Sequence, residues 1–305
     1  MSSSAGGGHT TTPRTALAVA LMALATAAPG CRAGRGQRPP SVAGTPPAPQ
    51  TAAAQRRTTP GQYWQEAKKE VYKSVPELVA QHRDELAKGV RYHKLMRGDE
   101  TTKQIALTFD DGPHPQFTPK LLAILKQQGV KATFFLVGEM AEKNPGLVRA
   151  EAAAGHDFGN HTYHHVDLTK IPSGQVATEM EACGDVLRDI LGKPVDLFRP
   201  PGGDYNQQVA EVAEELGYTI TLWTDDPGDY ASPGAEVIAT RTLHRAGNGG
   251  IILLHDGVQE TMDVLPQVIQ ALKSKGYTFV TIHEMLSQRQ ERRRTTPRGD
   301  RRERM

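Results

Sequence analysis

The chain has almost no cysteine: Cys31 and Cys183 are the only two in 305 residues. That excludes a disulfide framework and a cysteine-based zinc site. No apolar run is long enough for an internal transmembrane helix, which excludes a polytopic membrane protein. There is no excess of charge of one sign. With 36 basic and 34 acidic side chains the formal net charge is +2, which argues against a dedicated nucleic-acid binder. Apolar residues are not scarce: 38% are hydrophobic and 30 more are glycine. That share is the usual globular one and rules out a wholly disordered chain. The length suits one large domain with appendages, or two small domains.

The near-zero charge conceals a segregation. Residues 1–100 carry 14 basic and 7 acidic side chains, residues 101–288 carry 14 and 24, and residues 289–305 carry 8 and 3. An acidic body lies between basic ends. Arg14 precedes a short Ala/Leu/Val/Met run at 16–28, too short for a membrane anchor but suited to a signal-peptide core. Ala28-Pro29-Gly30-Cys31 then resembles a bacterial lipoprotein signal, in which Cys31 is lipidated and becomes the new N-terminus. Residues 1–31 are therefore expected to be a signal peptide. The protein is expected outside the cytoplasm as a membrane-anchored lipoprotein; the alternative is a secreted or periplasmic protein with a conventional signal.

Residues 32–60 are rich in Pro, Ala, Gln, Thr and Arg and contain no acidic residue, the composition of a disordered basic linker. In residues 61–100, Trp64, Val71, Val75, Leu78, Val79, Leu86 and Val90 form a loose helical stripe interrupted by Pro76. They predict an N-terminal helical cap in two pieces. The Arg-rich tail 289–305 reads as disordered. Basic ends of this kind suit an anionic envelope surface.

The body alternates two periods. Apolar strands are expected at 105–109, 132–137, 157–159, 195–199, 218–223, 250–255 and 278–281. Helices are expected at 118–128, 144–154, 173–191, 207–216, 235–245 and 262–275, the long one capped by Ser173. Such alternation means an α/β fold with a parallel sheet; an open doubly wound sheet and a closed barrel both satisfy it. Polar residues gather just after the strands, where α/β folds place their sites. These are Asp110 and Asp111; His161, His164 and His165; Arg199; Asp225, Asp226 and Asp229; and His255 with Asp256. His161 and His165 are four apart, so one helical turn would set both imidazoles on one face. Two imidazoles and one carboxylate suit a divalent cation such as Zn²⁺. Taken singly, each residue reads as a turn former or a surface group. Their joint occurrence at five strand ends is the signal.

Five motifs in order carry a resemblance. They are Thr108-Phe109-Asp110-Asp111-Gly112-Pro113, His161-Thr162-Tyr163-His164-His165, Phe198-Arg199-Pro200-Pro201-Gly202, Asp226-Pro227-Gly228-Asp229-Tyr230 and Leu253-Leu254-His255-Asp256. Residues 101–288 thereby resemble the polysaccharide deacetylases with a NodB-homology domain, carbohydrate esterase family four. The resemblance implies a distorted (β/α) barrel with fewer than eight strands. It implies that Asp111, His161 and His165 hold one divalent ion, Zn²⁺ first, with Co²⁺, Ni²⁺ or Mn²⁺ as alternatives. It implies that Asp110 is the general base, paired with and aimed by Arg199, and that His255 is the general acid, held by Asp229. The backbone N–H at Gly202 would meet the oxyanion, and Leu253 and Trp223 would line the acetyl pocket beside Tyr230.

Three positions depart from the family pattern. Gly202 stands where Tyr or Phe is usual, Tyr230 where Trp is usual and Val166 where Pro is common. They bear on substrate preference more than on activity. His164 is an alternative to His165, disfavoured by the spacing. His114, His156 and His283 read as structural or solvated, and Cys183 as a small buried hydrophobe.

The function implied is metal-dependent removal of N-acetyl groups from an extracytoplasmic glycan, releasing acetate. Peptidoglycan is the first choice and a chitin-type oligosaccharide the second. Alternatives are an O-acetyl esterase on xylan-like polysaccharide and a non-catalytic glycan-binding wall protein. The last would have lost a metal ligand, Asp110 or His255, and all are present. A third reading gives the function to adhesion through the basic ends. The expected partners are an acetylated polysaccharide and, through the lipid, a membrane, with no nucleic acid and a monomeric chain.

Overall fold

The computed structural model describes residues 71–295. The expected signal peptide with Cys31, the expected linker 32–60, the start of the expected cap at 61–70 and the tail from 296 lie outside the described residues.

Helix α1 (Val75–Ala87) opens the described chain, followed by strand β1 (Lys94–Leu95). The body then runs β2 (Gln104–Asp110), α2 (Thr118–Gln128), β3 (Thr133–Leu136), α3 (Gly138–Lys143), α4 (Pro145–Ala153), β4 (Asp157–Asn160) and α5 (Ser173–Leu191). It continues with β5 (Leu197–Phe198), α6 (Gln207–Glu215), β6 (Thr219–Thr221), α7 (Ala235–Arg245), β7 (Gly250–His255), α8 (Gln259–Ser274), β8 (Thr278–Phe279) and α9 (Ile282–Thr295). Seven parallel strands lie in the order β1-β6-β5-β4-β3-β2-β7, and the two-residue β8 pairs with β2 off this path. The sheet curls until the chain after β6 meets β7 at a single bridge, Asp225 to Ile252. The result is a distorted (β/α) barrel, as the motif resemblance implied, and not an open sheet.

Alternation along the strands sorts the core into two clusters. Ile105, Leu107 and Phe109 of β2 join Ile252 and Leu254 of β7 in the cluster packed under the helices. Ala106 of β2 and Ile251 and Leu253 of β7 belong to the inner cluster, with Phe135, Phe198, Leu222 and Trp223. Period 2 therefore aims Thr108 and Asp110 inward on β2, and His255 inward on β7. Each such fully buried large apolar side chain contributes roughly 1.5–3 kcal/mol.

Four sequence expectations change. Pro76 does not break a helix: it sits in the first turn of α1, where its missing N–H costs nothing, behind a Ser74–Glu77 capping box. Residues 61–100 are not a purely helical cap either, because Lys94 and Leu95 pair with Ile220 and Thr221 as a strand of the sheet. The chain from Arg289 to Thr295, taken as the start of a disordered tail, continues α9. At α5 the helix begins at Ser173 itself, and the cap position is Pro172, with no side-chain bond.

His283 fastens α9 to the barrel. Its Nδ1–H donates to Asp157 at 2.6 Å, its Nε2 meets Asp196 at 2.5 Å, and its backbone N–H donates to Asp157 at 3.1 Å. The hydrogen bond and charge of Asp157, joined by Asp196, push the imidazole up to about 9. A raised histidine stabilises the fold fully below its unfolded value near 6.5 and loses that contribution as pH rises through about 9. His283→Ala should therefore lower the melting temperature by a few degrees at pH 6, since half-exposed ion pairs contribute about 1 kcal/mol or less. At pH 10 the gap between wild type and variant should be smaller. Thermal denaturation at both pH values checks this, and an equal gap at both would refute the clamp's charge dependence.

Candidate active site

Asp110 and His255 end neighbouring strands as direct register partners. Both side chains reach the inner face at the C-terminal mouth of the barrel, and they are 0% and 2% exposed. Asp110 Oδ1 accepts from Arg199 Nη1 at 2.6 Å. Arg199 is itself fully buried. The same Nη1 donates to Thr108 Oγ1 at 2.9 Å, and Nε donates to the Thr221 carbonyl at 3.1 Å. The guanidinium lies 4.0 Å from the Phe135 ring centroid and 5.7 Å from that of Trp223. A buried charge this well paired and stacked is locked in one position.

The loop after β4 brings in the imidazoles, but not by a helical turn. Residues 161–167 are irregular, and the backbone turns through positive φ at Thr162 (63°) and His165 (57°). Asp111 leaves β2 with φ 71°, which swings its carboxylate back toward the mouth. Three of the four non-glycine residues with positive φ among the described residues thus belong to this site. Each costs of order 1–3 kcal/mol and persists only because its surroundings enforce it. Asn160 Oδ1 accepts from the Thr162 N–H at 2.9 Å, and Glu179 on α5 accepts from the N–H groups of Tyr163 and His164 at 3.1 and 2.9 Å. Glu179 also takes His164 Nδ1–H at 2.7 Å, so His164 is turned to α5 while His165 faces Asp111.

Asp111, His161 and His165 offer one ligand atom each, all within 4.8 Å of one another. His161 Nδ1–H donates to the Arg199 carbonyl at 2.7 Å, which leaves Nε2 as a lone pair in the neutral ring. That Nε2 is buried without a hydrogen-bond partner and lies 3.6 Å from Asp111 Oδ1, itself buried and unpartnered. Two lone pairs facing each other away from water need a cation between them. The donor set fits a divalent ion with open positions. Burial works to raise the Asp111 carboxyl, but the imidazoles set against it, His165 first, hold it well below the usual range.

On the other side of the mouth, His255 Nδ1–H donates to Asp229 Oδ1 at 2.7 Å, and the His255 backbone N–H donates to Oδ2 at 2.9 Å. Thr261 Oγ1 donates to the same Oδ2 at 2.7 Å. Burial disfavours the charged imidazole, yet Asp229, with Asp111 and Asp110 beyond it, pushes His255 up to about 10. Its Nε2 is buried with no hydrogen-bond partner. Leu253 lies two residues earlier on the inner face, Trp223 is buried, and the Tyr230 ring stands 5.5 Å from that of His255. Gly202 sits in a single tight turn with φ 63°.

A family model for polysaccharide deacetylase matches residues 97–221. A peptidoglycan-N-acetylglucosamine deacetylase of Bacillus cereus is 39% identical over 189 residues, covering 60% of this chain and 88% of the relative. The chain belongs to the polysaccharide deacetylase family. A peptidoglycan-N-acetylmuramic acid deacetylase of Bacillus subtilis is 32% identical, with 66% of this chain and 78% of that protein covered. A solved peptidoglycan N-acetylglucosamine deacetylase superposes with a TM-score of 0.62 at 37% identity, covering 64% of this chain and 92% of that one. The deacetylase is accordingly a hydrolase of amide bonds on a glycan.

Two groups that shape the deacetylase site, Glu179 and Asp256, have no role assigned from the sequence. Glu179 sits among the inward-facing positions of α5 and holds the histidine loop from 15 residues away. Asp256 accepts from Thr118 Oγ1 and, at 3.3 Å, from the His114 N–H, and so fixes the loop that follows Asp111. Burial pushes Asp256 up to about 7 despite those bonds. Cys183, expected as a small hydrophobe, is buried and free.

Proposed function

We propose that the protein removes N-acetyl groups from peptidoglycan-type glycans outside the cytoplasm in a metal-dependent reaction. The observation that carries this reading is the convergence on one mouth of a carboxylate–imidazole donor set, an Arg199-paired Asp110 and an Asp229-paired His255. Asp111, His161 and His165 would hold the ion. When bound, a divalent ion there polarises the acetyl carbonyl and acidifies the attacking water. Asp110 takes the proton of that water through Oδ2, the oxygen that Arg199 leaves unused. Arg199 keeps Oδ1 fixed, so Asp110 cannot rotate away. His255 Nε2 delivers a proton to the departing amine, and Asp229 stabilises the imidazolium until then. The backbone N–H at Gly202 donates to the developing oxyanion. Leu253, Trp223 and Tyr230 receive the acetyl methyl and keep water from its far side. The export signal read at residues 1–31 supports an extracytoplasmic substrate, with Cys31 as the point of attachment.

The relatives named for peptidoglycan support that polymer over chitin oligomers and acetylxylan. Acetate release from all three, measured with and without chelator and with re-added Zn²⁺, Co²⁺, Ni²⁺ or Mn²⁺, tests the reading. Release should be fastest from peptidoglycan, should stop on chelation and should return with metal. Full turnover in chelator would refute the metal dependence. Release from acetylxylan alone would assign an O-acetyl esterase.

A further inference from the structure

The segment entering α1 is extended, and its side chains alternate. Val71 is 84% exposed and Tyr72 only 5%. The Lys73 N–H donates to the Gly202 carbonyl at 2.9 Å, so this segment is fastened to the turn at the mouth. Gly202 has no side chain, and the Tyr72 ring lies among the groups that face the reacting acyl unit. Its centroid is 4.3 Å from Tyr230, 4.8 Å from His255 in an edge-on arrangement and 6.3 Å from Trp223. Three aromatic or imidazole rings, two from the connection after β6 and one from the end of β7, thus share a single neighbour. That neighbour comes from outside the strand–helix alternation that builds the barrel. Such a cluster, packed edge-on and tilted, is rigid.

We propose that Tyr72 is a specificity-determining wall of the acyl site, and that it limits the group removed to acetyl. The inference rests on the placement of the acyl methyl beside Trp223, Leu253 and Tyr230. A rigid aromatic wall leaves no room for another methylene, and one methylene in a closed apolar pocket changes kcat/KM by about 10–200-fold. Removing the ring opens that space and leaves the Asp110–Arg199 and His255–Asp229 hydrogen bonds in place.

The test compares kcat/KM of the full chain for N-acetyl- and N-propionylglucosamine oligomers. Tyr72→Ala should shift the acetyl-to-propionyl ratio at least about 10-fold toward propionyl. Tyr72→Phe, which keeps the ring, should retain the wild-type ratio. Tyr72→Leu should fall between them, and it decides the matter if the alanine variant does not fold. A role in stability alone would lower both rates together and leave the ratio unchanged; that result overturns the proposal. So does an equal rise in both rates, because a ring that merely blocks the mouth would release it for either substrate. The ratio is independent of the natural polymer. Failure to release acetate from peptidoglycan would overturn the substrate reading and leave the wall intact.

Discussion

Asp110→Asn is expected to lower kcat by about 10²–10⁴ in metal-replete protein, the usual contribution of a placed general base. The substitution is nearly isosteric. Its amide oxygen can still accept from Arg199 Nη1, so the arginine stays in place. What is lost is the basic oxygen: Oδ2 becomes an amide NH₂ that cannot take a proton. KM should change little, because the side chain is buried at the end of β2 rather than on the glycan surface. Steady-state kinetics with metal content measured on the same sample is the check. Full turnover at wild-type metal stoichiometry would show that another group accepts the proton.

The second large effect concerns stability. Arg199→Met should destabilise the fold by about 3–5 kcal/mol, because it leaves the Asp110 carboxylate buried without its counter-charge. For a body of this size that corresponds to roughly 2–4 °C of melting temperature per kcal/mol. The variant also removes the donor to the Thr221 carbonyl, which ties β5 to β6. Adding Asp110→Asn to Arg199→Met should recover part of the loss, since the buried charge is then gone. Urea denaturation of wild type, both single variants and the double variant forms a cycle that isolates the pair. Strict additivity would mean that the two side chains do not stabilise each other.

The frame of strands and helices was largely legible in the sequence. Each strand is a short apolar run and each helix a 3.6-residue stripe, both local signals. The convergence of Asp110, Asp111, His161, His165, Arg199, Asp229 and His255 on one mouth was legible because they stand near strand ends in an ordered set of motifs. The failures share a different cause. The four-residue spacing of His161 and His165 suggested a helical turn, but Asn160 and Glu179 impose a loop with two left-handed residues. Nothing near His161 announces Glu179, which arrives through tertiary packing. Lys94-Leu95 is too short to show a period, and it is a strand only because β6 offers it an open edge. Tyr72 lies outside the loose helical stripe read in residues 61–100, and nothing in the sequence singles it out. Its place beside His255 depends on a segment remote in sequence.

The register of β2 against β7 has a consequence for how this enzyme can change. Asp110 and His255 are opposite each other on adjacent parallel strands, so the spacing of their backbones is that of the ladder itself, about 4.8 Å. No loop rearrangement alters it. The groups around them come from segments that can be rebuilt: the turn at Gly202, the stretch carrying Tyr230 and the arm carrying Tyr72. Under the proposed roles, proton delivery and acyl or glycan choice are mechanically separate, one set by the sheet and the other by its connections. A lineage could exchange one glycan for another by editing the connections alone and keep the same Asp110–His255 pair throughout.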